Sequence, residues 1–87
     1  DQGAIAELPE TVQRVIYEQA DPILLKCQES PHIYLLDNGE KRWIDTIQTF
    51  NARGYVWRDV QFIPCFDLRR IPDGLPIPTD AGPPPQP

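Results

Sequence analysis

The sequence predicts an α+β fold, in which a small antiparallel sheet of three to four strands carries short helices on one face. Three observations predict it: an Asn38-Gly39 dipeptide between two apolar runs, helix start and stop signals at Asp45 and Gly54, and apolar alternation after Ile23. Asn-Gly is the strongest short-range hairpin signal, because a type I′ turn requires positive φ at both central residues. An antiparallel sheet with helices on one face belongs to the α+β class.

The Asn38-Gly39 turn also predicts the register of the hairpin. A two-residue loop places Tyr34 opposite Trp43 and Ile33 opposite Ile44. Aromatic pairs directly opposite each other stabilise a ladder by about 0.2–1 kcal/mol.

A short helix follows the hairpin. Asp45 is the predicted N-cap, with Gln48 at N3 as a variant of the capping box. Gly54 ends the helix, and Tyr55 falls where the C″ residue of a Schellman motif touches Phe50.

Four further segments complete the predicted elements. The apolar spacing of Leu8–Ala20 favours a helix, although its β-branched residues leave a strand open. Ile23–Gln28 and Val60–Ile63 are predicted strands, and Phe66–Ile71 is a predicted helical turn that stops before a proline.

The chain divides into three parts. Residues 1–21 form a predicted N-terminal helical extension, residues 22–78 the α+β domain, and residues 79–87 a proline-rich tail. Five of the eleven prolines lie in the last ten residues, which favours an extended polyproline-type conformation. Such a tail serves either as a spacer or, because Thr79 lies among prolines, as an O-glycosylated segment or one that docks on a neighbouring subunit.

Charge and composition exclude several classes of protein. A net charge of −5 with scattered basic residues argues against nucleic-acid binding. No apolar run approaches the length of a membrane span. The chain lacks methionine, even at position 1, which favours removal of an upstream signal peptide and hence an extracellular location; a terminus trimmed for another reason would look the same.

The central part of the chain resembles a module of about fifty residues that recurs in secreted and cell-surface proteins of bacteria. The resemblance spans about Ile23 to Ile77. The matching residues are Tyr34, Leu35, Asn38, Gly39, Lys41, Arg42, Trp43, Ile44, Phe50, Gly54, Tyr55, Trp57, Asp59, Val60, Leu68, Ile71, Pro72 and Gly74. The resemblance implies an extracellular structural or binding role, and it supplies no catalytic residues.

The two cysteines, Cys27 and Cys65, are too far apart in sequence for a redox or zinc motif. In an oxidising compartment they can form a disulfide, which we expect here. Two buried free thiols, or a bond between chains, remain alternatives.

Neither a catalytic site nor a cofactor or metal site is predicted. His32 is the sole histidine and has no partner cluster, and Ser30 lacks a nucleophile-elbow context. Asp37 and Glu40 flank the turn, but calcium needs more oxygen ligands than these two carboxylates supply.

The sequence therefore predicts a non-enzymatic, extracellular structural subunit that self-assembles into a filament, sheath or surface layer. The alternative is a monomeric domain that recognises carbohydrate or cell wall through the exposed aromatics Tyr55 and Trp57. If the chain assembles, we expect the apolar residues of the N-terminal extension to contact neighbouring subunits. The alternative is that this helix packs on its own sheet and completes the domain's core. These residues are Ile5, Leu8, Val12, Val15, Ile16 and Tyr17.

Overall fold

A computed structural model describes residues 8–18 and 22–87 of the chain. These residues form a four-stranded sheet with three short α-helices. In chain order the elements are α1 (Glu10–Glu18), β1 (Ile23–Lys26), β2 (Ile33–Asp37), β3 (Glu40–Ile44), α2 (Ile47–Ala52), a 3₁₀ turn (Trp57–Asp59), β4 (Val60–Phe62) and α3 (Cys65–Arg69). The predicted α+β class and the number of strands are confirmed.

The sheet is mixed, which corrects the expectation of a purely antiparallel sheet. The strand order is β3-β2-β1-β4, with β2 antiparallel to both neighbours and β4 parallel to β1. Parallel strands need a crossover connection. Here α2 and the 3₁₀ turn lie between β3 and β4 in the chain, so this segment carries the chain to the opposite edge of the sheet.

The hairpin between β2 and β3 has the predicted turn and the predicted register. Asn38 and Gly39 have φ values of 53° and 79°, as a type I′ turn requires. Tyr34 pairs with Trp43, and Ile33 pairs with Ile44. This register fixes which side chains of β2 and β3 reach each face of the sheet.

Replacing Gly39 with valine is expected to lower the free energy of unfolding by about 1–3 kcal/mol, because a β-branched residue resists positive φ. Chemical denaturation measures the change. Gly39→Asn is the matched control, since asparagine tolerates this conformation better, and it should cost clearly less. Equal losses for the two variants would contradict a conformational cause.

Helix α2 begins one residue later than predicted. Its N-cap is Thr46, whose hydroxyl accepts a hydrogen bond from the Thr49 backbone N–H at 3.1 Å. Asp45 instead accepts a hydrogen bond from the Thr49 hydroxyl at 2.8 Å. A side chain caps best when its oxygen reaches the N2 or N3 amide, and Thr46 has that position.

The C-terminal end of α2 forms the predicted Schellman motif. Gly54 has a φ of 81°, and its N–H donates to the Asn51 carbonyl at 3.0 Å. The Tyr55 N–H donates to the Phe50 carbonyl at 3.3 Å. This turn brings the Tyr55 ring against Phe50, with ring centroids 5.7 Å apart.

Both faces of the sheet are covered, so the helices do not all lie on one face as expected. Successive residues of a strand point to opposite faces. One face packs against Leu8 and Val12, which precede and lie in α1, and against Leu68 of α3. The other face packs against Phe50 of α2. Apolar residues in succession, such as ILL in β1, are typical of strands buried on both sides.

Residues 72–77 run along the outer edge of β3, and we call them the edge segment. The Lys41 N–H donates to the Pro72 carbonyl at 2.8 Å, and the Ile77 N–H donates to the Trp43 carbonyl at 2.7 Å. Isolated bridges join Lys41 to Asp73 and Ile44 to Ile77. The edge segment therefore covers the backbone groups that β3 would otherwise expose.

The proline-rich tail contacts its own domain. The Tyr34 hydroxyl donates to the Pro85 carbonyl at 3.0 Å, and Arg69 donates to the Pro87 carbonyl at 3.3 Å. Residues 79–87 contain neither helix nor strand, and they begin in a turn in which the Ala81 N–H donates to the Pro78 carbonyl at 3.0 Å. These contacts hold the end of the chain against β2 and α3.

Candidate functional site

A disulfide links Cys27, directly after β1, to Cys65 at the start of α3. The two Cα atoms are 5.1 Å apart, and Cys27 is fully buried. The predicted disulfide is thus an intrachain bond. Among the described residues, the one group with metal-ligand spacing consists of these two cysteines and Glu29. Sulfurs joined in a disulfide are not thiolate ligands, so this group is not a metal site while the bond is intact.

The N-terminal residues proposed for contacts between subunits divide into three groups. Leu8 and Val12 belong to the buried core of the domain, as expected if the helix completes that core. Val15 and Ile16 are half-buried against the same core. Ile5 and the Tyr17 side chain lie outside the described part of the chain.

Helix α1 is therefore part of this domain. The Thr11 hydroxyl donates to the Asp67 carboxylate at 2.9 Å and so joins α1 to α3. The alternative that the helix completes its own domain's core holds for Leu8 and Val12. Contacts with a neighbouring copy remain a prediction for the outer side of α1.

The two aromatic residues predicted to bind a ligand pack on one buried ring. The Phe50 centroid lies 5.7 Å from Tyr55 and 5.2 Å from Trp57, and Phe50 is fully buried. Trp57 remains 50% exposed, and Tyr55 is half-buried. Part of each residue is therefore exposed to solvent, and an exposed aromatic face can stack on an apolar ligand.

A cavity of about 550 Å³ lies beside Tyr55, and we call it the arginine cavity. Its charged lining residues are Arg42 of β3, Arg53 at the end of α2 and Asp37 of β2. The remaining lining residues are Pro22, Leu35, Leu36, Gly54 and Tyr55. Sequence reasoning missed this cavity, because the arginines come from different elements and meet only through the tertiary fold.

Lys41 is a buried cation with a full set of partners. Its side chain is 2% exposed, and Nζ donates to the Ile71 carbonyl at 2.6 Å and to Asp73 Oδ1 at 2.8 Å. The same Nζ lies 5.7 Å from the centroid of the Tyr34 ring. This ammonium group is held by a carboxylate, a carbonyl and an aromatic face, and it attaches the edge segment to β3. We therefore assign Lys41 a structural role.

Burial, together with the nearby Asp73 carboxylate, raises the pKa of Tyr34 to about 12. The pKa of Tyr34 is higher in the folded state than its usual value near 10. The contribution of protonated Tyr34 to the stability of the fold is therefore fully present below pH 10. That contribution is lost as the pH rises from about 10 to about 12. An absorbance titration of the phenolate should show one tyrosine ionising near pH 12, and Tyr34→Phe should remove that step. A variant with the same late step would contradict the assignment.

The outer edge of β4 is open. In residues 8–18 and 22–87, no strand pairs with that edge, whereas the edge segment covers β3. Phe62, at the end of β4, is 55% exposed, and Phe66 of α3 is 64% exposed. Lys26 Nζ lies 5.1 Å from the centroid of the Phe62 ring. Large apolar side chains thus lie on both sides of the loop that joins β4 to α3.

No protein-family model, curated protein or solved structure matches this chain. The function must therefore be inferred from the described geometry. Among the residues that the structure describes, no helix is both long and apolar enough to cross a membrane.

Proposed function

We propose that this chain is a non-enzymatic structural subunit that acts outside the cell and self-assembles into a filament, sheath or surface layer. The observation that carries the proposal is the open edge of β4, followed by the exposed rings of Phe62 and Phe66. An edge strand presents unpaired N–H and C=O groups that pair readily with another chain. Strand addition at such an edge obtains affinity from main-chain hydrogen bonds and specificity from neighbouring side chains.

The two edges of the sheet differ in a way that favours assembly at β4. On β3, the edge segment satisfies the backbone through bonds such as that from the Ile77 N–H to the Trp43 carbonyl. On β4, the inner edge pairs with β1, and no other described residue forms a strand pair with it. β4 has three residues, and a strand this short forms few main-chain bonds. Phe62 and Phe66 must therefore supply apolar contact area to the interface.

The extracellular part of the proposal is supported by the Cys27–Cys65 disulfide. Structural disulfides persist in oxidising compartments and are rare in the cytosol. A small domain also benefits most from such a bond, because its core is thin. The resemblance to bacterial secreted and cell-surface modules points to the same location.

Substitution of Phe62 tests the assembly site. Phe62→Glu should abolish growth in light scattering by the oxidised 87-residue chain, because a charge at the edge blocks strand addition. Leu75→Glu is the matched control. Leu75 is 65% exposed, but it lies in the edge segment beside β3, at the opposite edge of the sheet from β4. Assembly that survives Phe62→Glu, or that fails equally in both variants, would reject β4 as the interface.

The second candidate function is recognition of carbohydrate or cell wall by a monomer. The half-exposed Trp57 ring, together with Tyr55, is the observation that favours it. Trp57→Ala should then abolish binding to an oligosaccharide in an NMR titration. Phe66→Ala is the control, since it removes an exposed ring far from Phe50 in the chain. Loss of binding in both variants would argue against a Trp57 site.

A further inference from the structure

We propose that the arginine cavity binds the carboxylate group of an acidic saccharide. The inference is independent of assembly, which we place at the open edge of β4. It narrows the second candidate function, recognition of carbohydrate, to acidic saccharides. The chain carries a net charge of −5, yet the described residues that line this cavity include two arginines and one carboxylate. The cavity is therefore a local cationic site on an acidic domain, which favours an anionic ligand.

Arg53 is held in place with its terminal nitrogens free. Its Nε donates to the Tyr55 hydroxyl at 2.9 Å, and its guanidinium carbon lies 5.5 Å from the centroid of that ring. Within the described residues, neither terminal nitrogen has a hydrogen-bond partner. The planar guanidinium fork matches the geometry of a carboxylate, and the contact with Tyr55 orients it before a ligand arrives.

Arg42 supplies the second cation from the neighbouring strand. Its Nε donates to the Leu75 carbonyl at 3.0 Å, and its Nη1 lies 3.3 Å from Asp37 Oδ2. The Asp37 side chain is 49% exposed, so water also solvates that carboxylate and the pair is weak. Arg42 is thus fixed by the edge segment, while its Nη2 has no partner in the described part of the chain.

The volume and apolar lining of the cavity suit a sugar ring. Its volume of about 550 Å³ falls within the usual range for small-ligand sites, about 300–1,000 Å³. Leu35 and Tyr55 provide an apolar wall for the C–H face of a sugar ring, and the arginines can bind its carboxylate. An acidic peptide would satisfy the arginines but would lose more conformational freedom on binding.

NMR titration of the oxidised 87-residue chain with trigalacturonate tests the proposal. We expect shifts confined to the amides around the cavity and a dissociation constant of about 1 mM or tighter. A neutral trisaccharide of galactose should bind at least about tenfold more weakly, because it lacks the carboxylate. Binding should also weaken as the salt concentration rises.

Arg53→Gln should weaken trigalacturonate binding at least about tenfold while leaving the unfolding temperature unchanged. Arg70→Gln is the matched control, since Arg70 is also exposed and lies 5.9 Å from an aromatic ring, that of Phe66. Tyr55→Phe keeps the ring but removes the hydroxyl that orients Arg53, so it should weaken binding by a smaller factor.

Three results would overturn the proposal. The first is an absence of binding at about 10 mM trigalacturonate, which is tenfold above the weakest dissociation constant that we expect. The second is equal loss in the Arg53 and Arg70 variants, and the third is tighter binding of a glutamate-rich peptide than of the saccharide. Binding of the neutral trisaccharide through Trp57, without a preference for carboxylate, would overturn this inference but leave the saccharide alternative standing.

Discussion

Removing the Cys27–Cys65 disulfide is expected to lower the free energy of unfolding by about 4 kcal/mol. The bond closes a loop between residues 38 positions apart, and this constraint reduces the conformational entropy of the unfolded chain. Domains of this size have only a few kcal/mol of net stability, so the reduced protein should be largely unfolded. Chemical denaturation of the oxidised and reduced protein measures the difference directly.

The doubly substituted Cys27→Ala, Cys65→Ala chain is the control for this experiment, because reductant cannot change it further. It should match the reduced wild-type protein to within the small volume lost at buried Cys27. If oxidised and reduced chains have the same midpoint of unfolding, the disulfide does not stabilise the domain.

Phe50→Ala is expected to cost about 3–5 kcal/mol, comparable to loss of the disulfide. Phe50 is fully buried and supports both Tyr55 and Trp57 on its ring. Truncation leaves a cavity under both rings, so thermal unfolding should shift strongly and tryptophan fluorescence should change in the folded state. Both signals are measured on one sample.

Two controls bracket this result. Phe66→Ala removes a ring that is 64% exposed and should change stability by less than about 0.5 kcal/mol. The stability cost of Trp43→Ala should lie between those of Phe50→Ala and Phe66→Ala, because Trp43 is half-buried against the core. A cost for Phe50→Ala no larger than that for Phe66→Ala would contradict the assignment of Phe50 to the core.

The parts of the fold that sequence predicted correctly depend on local chemistry. Asn38-Gly39 determines its turn through positive φ, and that turn sets the register of the hairpin without help from distant residues. The Schellman motif at Gly54 is equally local. The predicted N-cap was wrong by one residue, because Asp45 and Thr46 are both good caps and only the backbone geometry chooses between them.

The errors concern contacts between segments distant in sequence. The parallel pairing of β4 with β1 depends on the path of the chain through α2, which periodicity does not reveal. The sequence did contain a signal for helices on both faces: the uninterrupted apolar run ILL in β1 indicates burial on both sides. Leu8 and Val12 were expected at an interface because the resemblance begins near Ile23.

The candidate site was only partly predictable. Trp57 was named as an exposed aromatic residue, and its side chain is half-exposed. The arginine cavity was not predicted, since Arg42 and Arg53 meet only when β3 and the end of α2 pack together. No local pattern distinguishes these arginines from solvated surface cations.

Sedimentation velocity of the oxidised 87-residue chain is the most direct test of self-assembly through β4. The account predicts species far larger than the 10.0 kDa subunit, growing with concentration, and regular polymers in electron micrographs of the same sample. Phe62→Glu should return the protein to the subunit mass. A wild-type chain that sediments as a 10.0 kDa monomer up to about millimolar concentration would contradict the assembly role and favour a recognition domain.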